Sequence, residues 1–468
     1  MRIVATGVAL LALSGCSAST SSLGPSLMLT TVPQSRTSMA TISTDAGGSR
    51  PLSQPLSITA RDGRLTTVTV TGPRGTVHGV IAPDGKSWTV ESRHFSYGSH
   101  YQLTATAVDA RGVPTTMSSS FDTVTPIRTF TASITPNSGG IVGVGMPITV
   151  VFSRPIRDKK AVQESLVVHT PTALEGAWSW RSAKEVQFRP RTYWPAYTSI
   201  QVDANLTGVR SKPGVFGAGD VSASFSTGAS MVTHVNAMTD QASVYRDGQL
   251  LKTIPVTTGK VGFQTRSGTV LIMTKELSRI MDASTGGTAK NDPNYYRVMT
   301  HYSMRITDSG EFLHAAPWSV GNQGRANVSH GCVGMSMSNA AWLYGLSQIG
   351  DVVSITGTPV KQNQGNGITV WNESWDKWLA GSAAGSTWTV ADTALPPAPT
   401  PTDTVAPPIP ADQMNLPPTA TPSPIKPTPA ASAVKPHHSA NASGSSTARG
   451  TVSASPRATA TVTVTAAG

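Results

Sequence analysis

Apolar residues fall at every second position through much of the first half of the chain. Val68 and Val70 stand between threonines, Trp88 and Val90 flank Thr89, and Tyr101, Leu103, Ala105 and Ala107 repeat the period, with turns at Gly72-Pro73 and Pro83-Asp84-Gly85. A period of two marks half-buried strands, and short strands between such turns predict an immunoglobulin-like β-sandwich over residues 50–126. A second module, 127–228, repeats the style in 148–152, 185–188 and 199–202. Neither carries an inter-sheet cysteine pair, so both assignments rest on alternation. Trp178, Trp180, Tyr193 and Trp194 read as core aromatics of the second sandwich rather than a sugar-binding surface.

The pattern changes after residue 228. Asp247-Gly248 sits between two apolar runs and predicts a hairpin over 243–254, and residues 261–273 read as a glycine-punctuated loop entering a strand. Residues 291–297 are polar and turn-rich, the kind of segment that covers a site. Residues 338–348 have helical spacing, with Ser338 as N-cap, and Asp351-Val352-Val353 starts a closing strand. In 358–391, Trp371, Trp375 and Trp378 fall on one face of a short helix, capped by Asn372, stopped by Gly381 and read as a docking face. Residues 392–468 are rich in Pro, Thr, Ala and Ser and are expected to be a disordered tail. The fold class is therefore mainly β: two sandwiches, a β-rich third domain over 229–357, a Trp-rich helical segment and a tail.

Charged residues make up only 13% of the 468, and discounting both ends leaves roughly 340 residues that pack. A net charge of +11 fits nucleic acid, an anionic membrane or an acidic extracellular polymer. The amino terminus decides among these. Met1-Arg2 precedes an apolar run over 3–13 and then Leu13-Ser14-Gly15-Cys16, which resembles the bacterial lipobox. The resemblance implies a signal peptide over 1–16, acylation of Cys16, a flexible linker over 17–49, and anchorage on the outer face of the cytoplasmic membrane with reach into the cell wall. Nucleic acid is then not a partner. Only two cysteines are present, so acylation of Cys16 leaves Cys332 as a lone exported thiol.

That thiol lies in Ser329-His330-Gly331-Cys332, fourteen residues (315–328) beyond His314. An imidazole can take the thiol proton, and a glycine before the nucleophile lets backbone N–H groups approach an oxyanion. The thiol is expected at a loop surface. His330-Gly331-Cys332 is too tightly spaced for a usual zinc site, and no metal or other cofactor is expected.

The pattern His-x14-Ser-His-Gly-Cys-Val resembles the catalytic domain of L,D-transpeptidases, the cysteine enzymes that cross-link bacterial peptidoglycan. The whole order of modules is similar to that of actinobacterial members. The resemblance implies Cys332 as nucleophile, His314 as general base, and His330 and Gly331 beside the oxyanion with the Cys332 amide. It also implies that the Ala315 carbonyl orients His314, and that Tyr296, Met281, Trp318 and Ser329 line the donor-stem pocket. Gly334 stands where the family pattern has Asn, which removes an expected brace of the nucleophile loop. The implied reaction is ping-pong acyl transfer between peptidoglycan stems, forming 3-3 cross-links, with carbapenems as covalent inhibitors. The alternatives are an L,D-carboxypeptidase-type hydrolase and a weakly active paralogue that binds peptidoglycan.

Overall fold

Alternation becomes pleated sheet in the computed structural model, which describes residues 39–399 and 405–410. The predicted signal peptide with Cys16, most of the linker and residues 411–468 lie outside the described residues.

The first sandwich packs a sheet of Thr41–Thr44, Leu56–Arg61, Ser87–Val90 and Val80–Ile81 on a five-stranded sheet built around Arg64–Gly72, His100–Val108 and Pro114–Thr123. Its core gathers the alternating residues, among them Ile58, Val70, Trp88, Leu103 and Phe121. The strand Thr41–Thr44 falls inside the span expected as linker: with Ile42 its only large apolar residue, it is too short to show a period, yet it pairs along its length with Leu56–Arg61.

In the second sandwich Trp178 and Trp194 are buried with Phe152 and Phe188, while Tyr193 is only partly buried against the Trp371 ring. Each of its two five-stranded sheets ends on a strand from far along the chain: Thr387–Trp388 pairs with Glu175–Trp180, and Val390–Ala391 pairs with Leu166–Thr170. The tryptophan stripe docks on this module. Trp378 Nε1 donates to the Ala177 carbonyl at 2.9 Å, and Trp371 Nε1 donates to that of Gly145 at 2.7 Å. The Arg189 guanidinium stands 4.6 to 5.3 Å from the ring centres of Trp371, Trp375 and Trp378. Ser374, not Asn372, caps the helix Trp375–Ala380 by accepting the Lys377 N–H. Asn372 has another use: its amide accepts the Thr269 N–H and donates to the Thr269 carbonyl, both at 2.7 Å, closing an edge strand of the next domain.

That domain holds two sheets. Gln249–Pro255, Gln241–Arg246, Met231–Asn236, Val352–Thr356 and Gly268–Leu271 form one, and Thr274–Asp282, Arg297–Arg305, Phe312–Ala315 and Val333–Met335 form the other. The helix Met337–Leu346 packs on the second sheet. Its N-cap is Ser336, whose hydroxyl accepts the Asn339 N–H at 3.2 Å, so the cap lies two residues before the Ser338 expected from the spacing.

The catalytic and sandwich cores meet. Leu271 and Val352 are buried in the core of the second sandwich, and a Cβ on Gly143 would stand 2.1 Å from the Asp351 nitrogen, so only glycine lets the two backbones approach. The described part of the tail also packs, against the expectation of disorder from 392 onward. The Pro396 carbonyl accepts the Ser199 hydroxyl, the Pro407 carbonyl accepts the Tyr302 hydroxyl at 3.2 Å, and Ile409, 8% exposed, enters the catalytic core. A single Ile among prolines has no period to reveal it. No helix among the described residues is long and apolar enough to cross a membrane.

Candidate active site

The site grows from one parallel strand pair. Phe312–Ala315 runs beside Val333–Met335 in the register Leu313↔Val333, His314↔Gly334 and Ala315↔Met335. Leu313, Ala315, Val333 and Met335 face the buried core under the helix. Strand alternation then turns Phe312 and His314 to the opposite face, where Cys332 packs with Phe312 and Met281. Tyr296 and Val298 complete that cluster.

Cys332 is 7% exposed, so the expectation of a surface thiol is corrected: the loop carries it inward against Phe312 and beneath Met281 and Tyr296. Its thiol points at the Gly310 carbonyl, 3.8 Å away. Burial pushes the thiol up to about 12, against the opposing pull of the Phe312 backbone N–H. His314, 5% exposed, is pushed down to about 4 by burial. Its Nδ1 lies 2.7 Å from the Ala315 carbonyl, which can only accept, so Nδ1 carries the proton and Nε2 keeps the basic lone pair. The resemblance assigns this carbonyl to orienting the ring. The Trp318 ring stands 6.0 Å from His314 and is 44% exposed, at the edge of the site.

His330 lies between two rings, Phe263 at 4.7 Å and Tyr296 at 4.9 Å, with Nε2 buried and unpartnered among the described residues. Burial, and then the charge of Lys260, push its pKa down to about 4. Gly331 has φ +118°, open to glycine and strained for other residues. Its N–H donates to the Ser329 hydroxyl at 3.1 Å, and that hydroxyl donates to the Cys332 carbonyl at 2.7 Å. Ser329 therefore closes the loop before Cys332 on itself, and the Gly331 N–H is engaged rather than open to an oxyanion.

Several supports were not legible from the motif. Thr265 donates to the Gly331 carbonyl at 2.8 Å while accepting the Gly259 N–H at 2.9 Å. Asn327 accepts the Thr258 N–H and donates to the Ala237 carbonyl, both at 2.7 Å. Glu311, buried beside the loop, pairs with Arg266 at 3.0 Å. Apart from Gly259, their partners lie tens of residues away in sequence, and nothing in the local pattern marks them.

Gly334 is in a strand, not in the loop. It exchanges both backbone hydrogen bonds with Thr257 at 2.9 Å, and a Cβ there would meet the Ala316 Cβ at 2.9 Å and Thr257 Cγ2 at 3.1 Å. The position is held by its backbone and filled by Ala316, so the expectation of a missing brace gives way to one of close packing. The turn after Ala316 is braced from elsewhere, since Gln323 Nε2 and the Ser319 hydroxyl both donate to the Ala316 carbonyl.

Comparison with known proteins agrees with this architecture. The L,D-transpeptidase catalytic domain family matches residues 231–355, and a bacterial Ig domain family matches 49–210, across both sandwiches. The chain is 35% identical over 342 residues to L,D-transpeptidase 2 of Mycobacterium tuberculosis, covering 73% of this chain and 83% of that one. L,D-transpeptidase 5 of the same species is 31% identical over 338 residues, covering 70% and 73%. A solved LD transpeptidase in complex with imipenem is 34% identical, covering 48% of this chain and 97% of its own, with a TM-score of 0.42. The chain is thus an acyltransferase, a cysteine enzyme with immunoglobulin-like modules ahead of its catalytic domain. It belongs to the L,D-transpeptidase family.

Proposed function

We propose that the chain forms 3-3 cross-links in peptidoglycan, with Cys332 as nucleophile and His314 as general base. The observation that carries this reading is the His314 imidazole held by the Ala315 carbonyl on the sheet face it shares with Cys332. As the sulfur attacks the carbonyl between residues 3 and 4 of a tetrapeptide stem, His314 Nε2 takes the thiol proton. The tetrahedral intermediate collapses, the C–N bond breaks, and His314 returns that proton to the leaving amine of D-alanine. A thioester remains. The side-chain amine of residue 3 on a second stem then attacks it; His314 accepts the amine proton and restores it to the departing sulfur. With burial pushing the thiol up to about 12 and the imidazole down to about 4, both rest neutral, so proton transfer accompanies attack rather than preceding it.

Tyr296 and Met281 form the apolar wall against which the donor stem lies, with Trp318 at its rim. A carbapenem presents a strained amide carbonyl to the same thiol and acylates Cys332. Acylation of Cys16 anchors the enzyme on the outer face of the cytoplasmic membrane; the supporting feature is the sequence Leu13-Ser14-Gly15-Cys16.

Incubation of the purified protein with a disaccharide-tetrapeptide, read by mass, tests the reaction. Dimers lacking one D-alanine are expected. Monomers that lose D-alanine and gain water would make it a hydrolase, and unchanged substrate would leave only binding.

A further inference from the structure

Three arginines approach the Phe312–Cys332 wall, and they differ in what neutralises them. Arg266 pairs with Glu311 at 3.0 Å, next in sequence to Phe312. Arg279, its guanidinium 5.1 Å from the Phe312 ring centre, pairs with Glu276 at 2.6 Å. Arg305 lies opposite Phe312 in the strand register, with its guanidinium 4.7 Å from that ring centre, and is in no ion pair among the described residues. Its Nη1 donates to the carbonyls of Thr307 and Asp308 at 3.0 and 3.1 Å, which fixes the group and leaves its full charge uncompensated. Lys260, another cation of the site, is held by Asn294 at 3.1 Å over Phe263.

A half-buried guanidinium held in place without a counter-ion, over the same Phe312 ring that packs with Cys332, is a preorganised site for an anion. If Cys332 attacks the carbonyl before the last residue of the donor, that residue's carboxylate carbon lies three bonds, about 4 Å, from the attacked carbon. The geometry points to Arg305 as the residue that recognises the free C-terminal carboxylate of the donor stem, and so selects a tetrapeptide that ends at the leaving D-alanine. This assignment rests on the cross-linking reading above. It follows that a stem with a further residue is a poorer donor, because its charge lies one residue, about 3.5 Å, beyond the guanidinium.

The test compares thioester formation on Cys332, by single-turnover mass spectrometry of the full purified chain, with two donors: a tetrapeptide acid and the same peptide with a C-terminal amide. Wild type is expected to prefer the acid by about tenfold or more, the value of a charge-assisted hydrogen bond. Arg305→Met should lose that preference by slowing on the acid while changing less than about twofold on the amide, and Arg305→Lys should recover part of it. Because Arg305 also holds two carbonyls, the amide donor and a melting curve report any general damage. Equal slowing on both donors, or a wild type that takes acid and amide alike, overturns the assignment. A wild type that forms no thioester with either donor instead removes the cross-linking reading, and this assignment with it.

Discussion

His314 Nδ1 and the carbonyl oxygen of Ala315, neighbours in the chain, lie 2.7 Å apart. The bond fixes the tautomer of the base with a backbone group that no side-chain substitution at 315 removes. With burial pushing Cys332 up to about 12 and His314 down to about 4, both groups are neutral at pH 7. The rate of Cys332 alkylation by iodoacetamide should therefore rise steadily with pH through 9, with no plateau on the acid side. His314→Ala should leave that alkylation nearly unchanged while slowing acylation by substrate about 10²–10⁴-fold. A reactive plateau extending down to pH 5 would show a preformed thiolate–imidazolium pair instead.

Gly334→Asn forces a Cβ to within 2.9 Å of the Ala316 Cβ. Overpacking of this kind costs about 1–3 kcal/mol, so the variant should melt earlier and acylate more slowly than wild type. Faster acylation at an unchanged melting temperature would mean that the strand yields and that the side chain braces the loop after all.

Asp351 is buried at the seam with the second sandwich, and burial pushes its carboxyl up to about 8 in the fold. Its Oδ2 accepts the Gln348 N–H at 2.7 Å, while Oδ1 has no partner among the described residues. The folded state then holds a proton that the unfolded chain releases near pH 4, so this group's contribution is complete below pH 4 and is lost as pH rises toward 8. Melting temperature should fall over that window, and Asp351→Asn should flatten the decline by about 4 °C or more. An Asn variant with the same pH slope as wild type would place the titration elsewhere.

Trp378 is fully buried, with its Nε1 on Ala177 and its ring under Arg181 and Arg189. Trp378→Ala should cost about 3–5 kcal/mol and loosen the catalytic domain from the second sandwich. Denaturant melts read at both modules would check this, and a variant within 1 kcal/mol of wild type would show the helix to be dispensable.

Removing residues from 411 onward should leave melting and soluble-stem turnover near wild type. Cutting before Val405 also removes Ile409 from the core and should lower stability by roughly 1.5–3 kcal/mol. Identical melting curves for the two truncations would show that the 405–410 segment contributes nothing to the fold.

The strands and the motif that holds Cys332 were legible because period two and the His-x14-Ser-His-Gly-Cys spacing are local. Ser336 displaced Ser338 as cap because both are serines two positions apart, and spacing alone does not separate them. The burial of Cys332 was not legible, since it depends on Met281 and Tyr296 from strands and a connection joined earlier in the chain. Nor was the partner of the tryptophan stripe: Ala177, Gly145 and Arg189 lie about two hundred residues upstream and carry no mark of the contact.

The second sandwich is finished by Thr387–Trp388 and Val390–Ala391, strands made after the whole catalytic domain. A ribosome delivers the chain from its amino end, so this module stands two edges short until more than 150 further residues have emerged. A chain that ended between residues 229 and 386 would hold this sandwich with both rims exposed. The carboxyl-terminal strands thus act as a completeness check, because only a chain translated past its active site can close the module that comes before it.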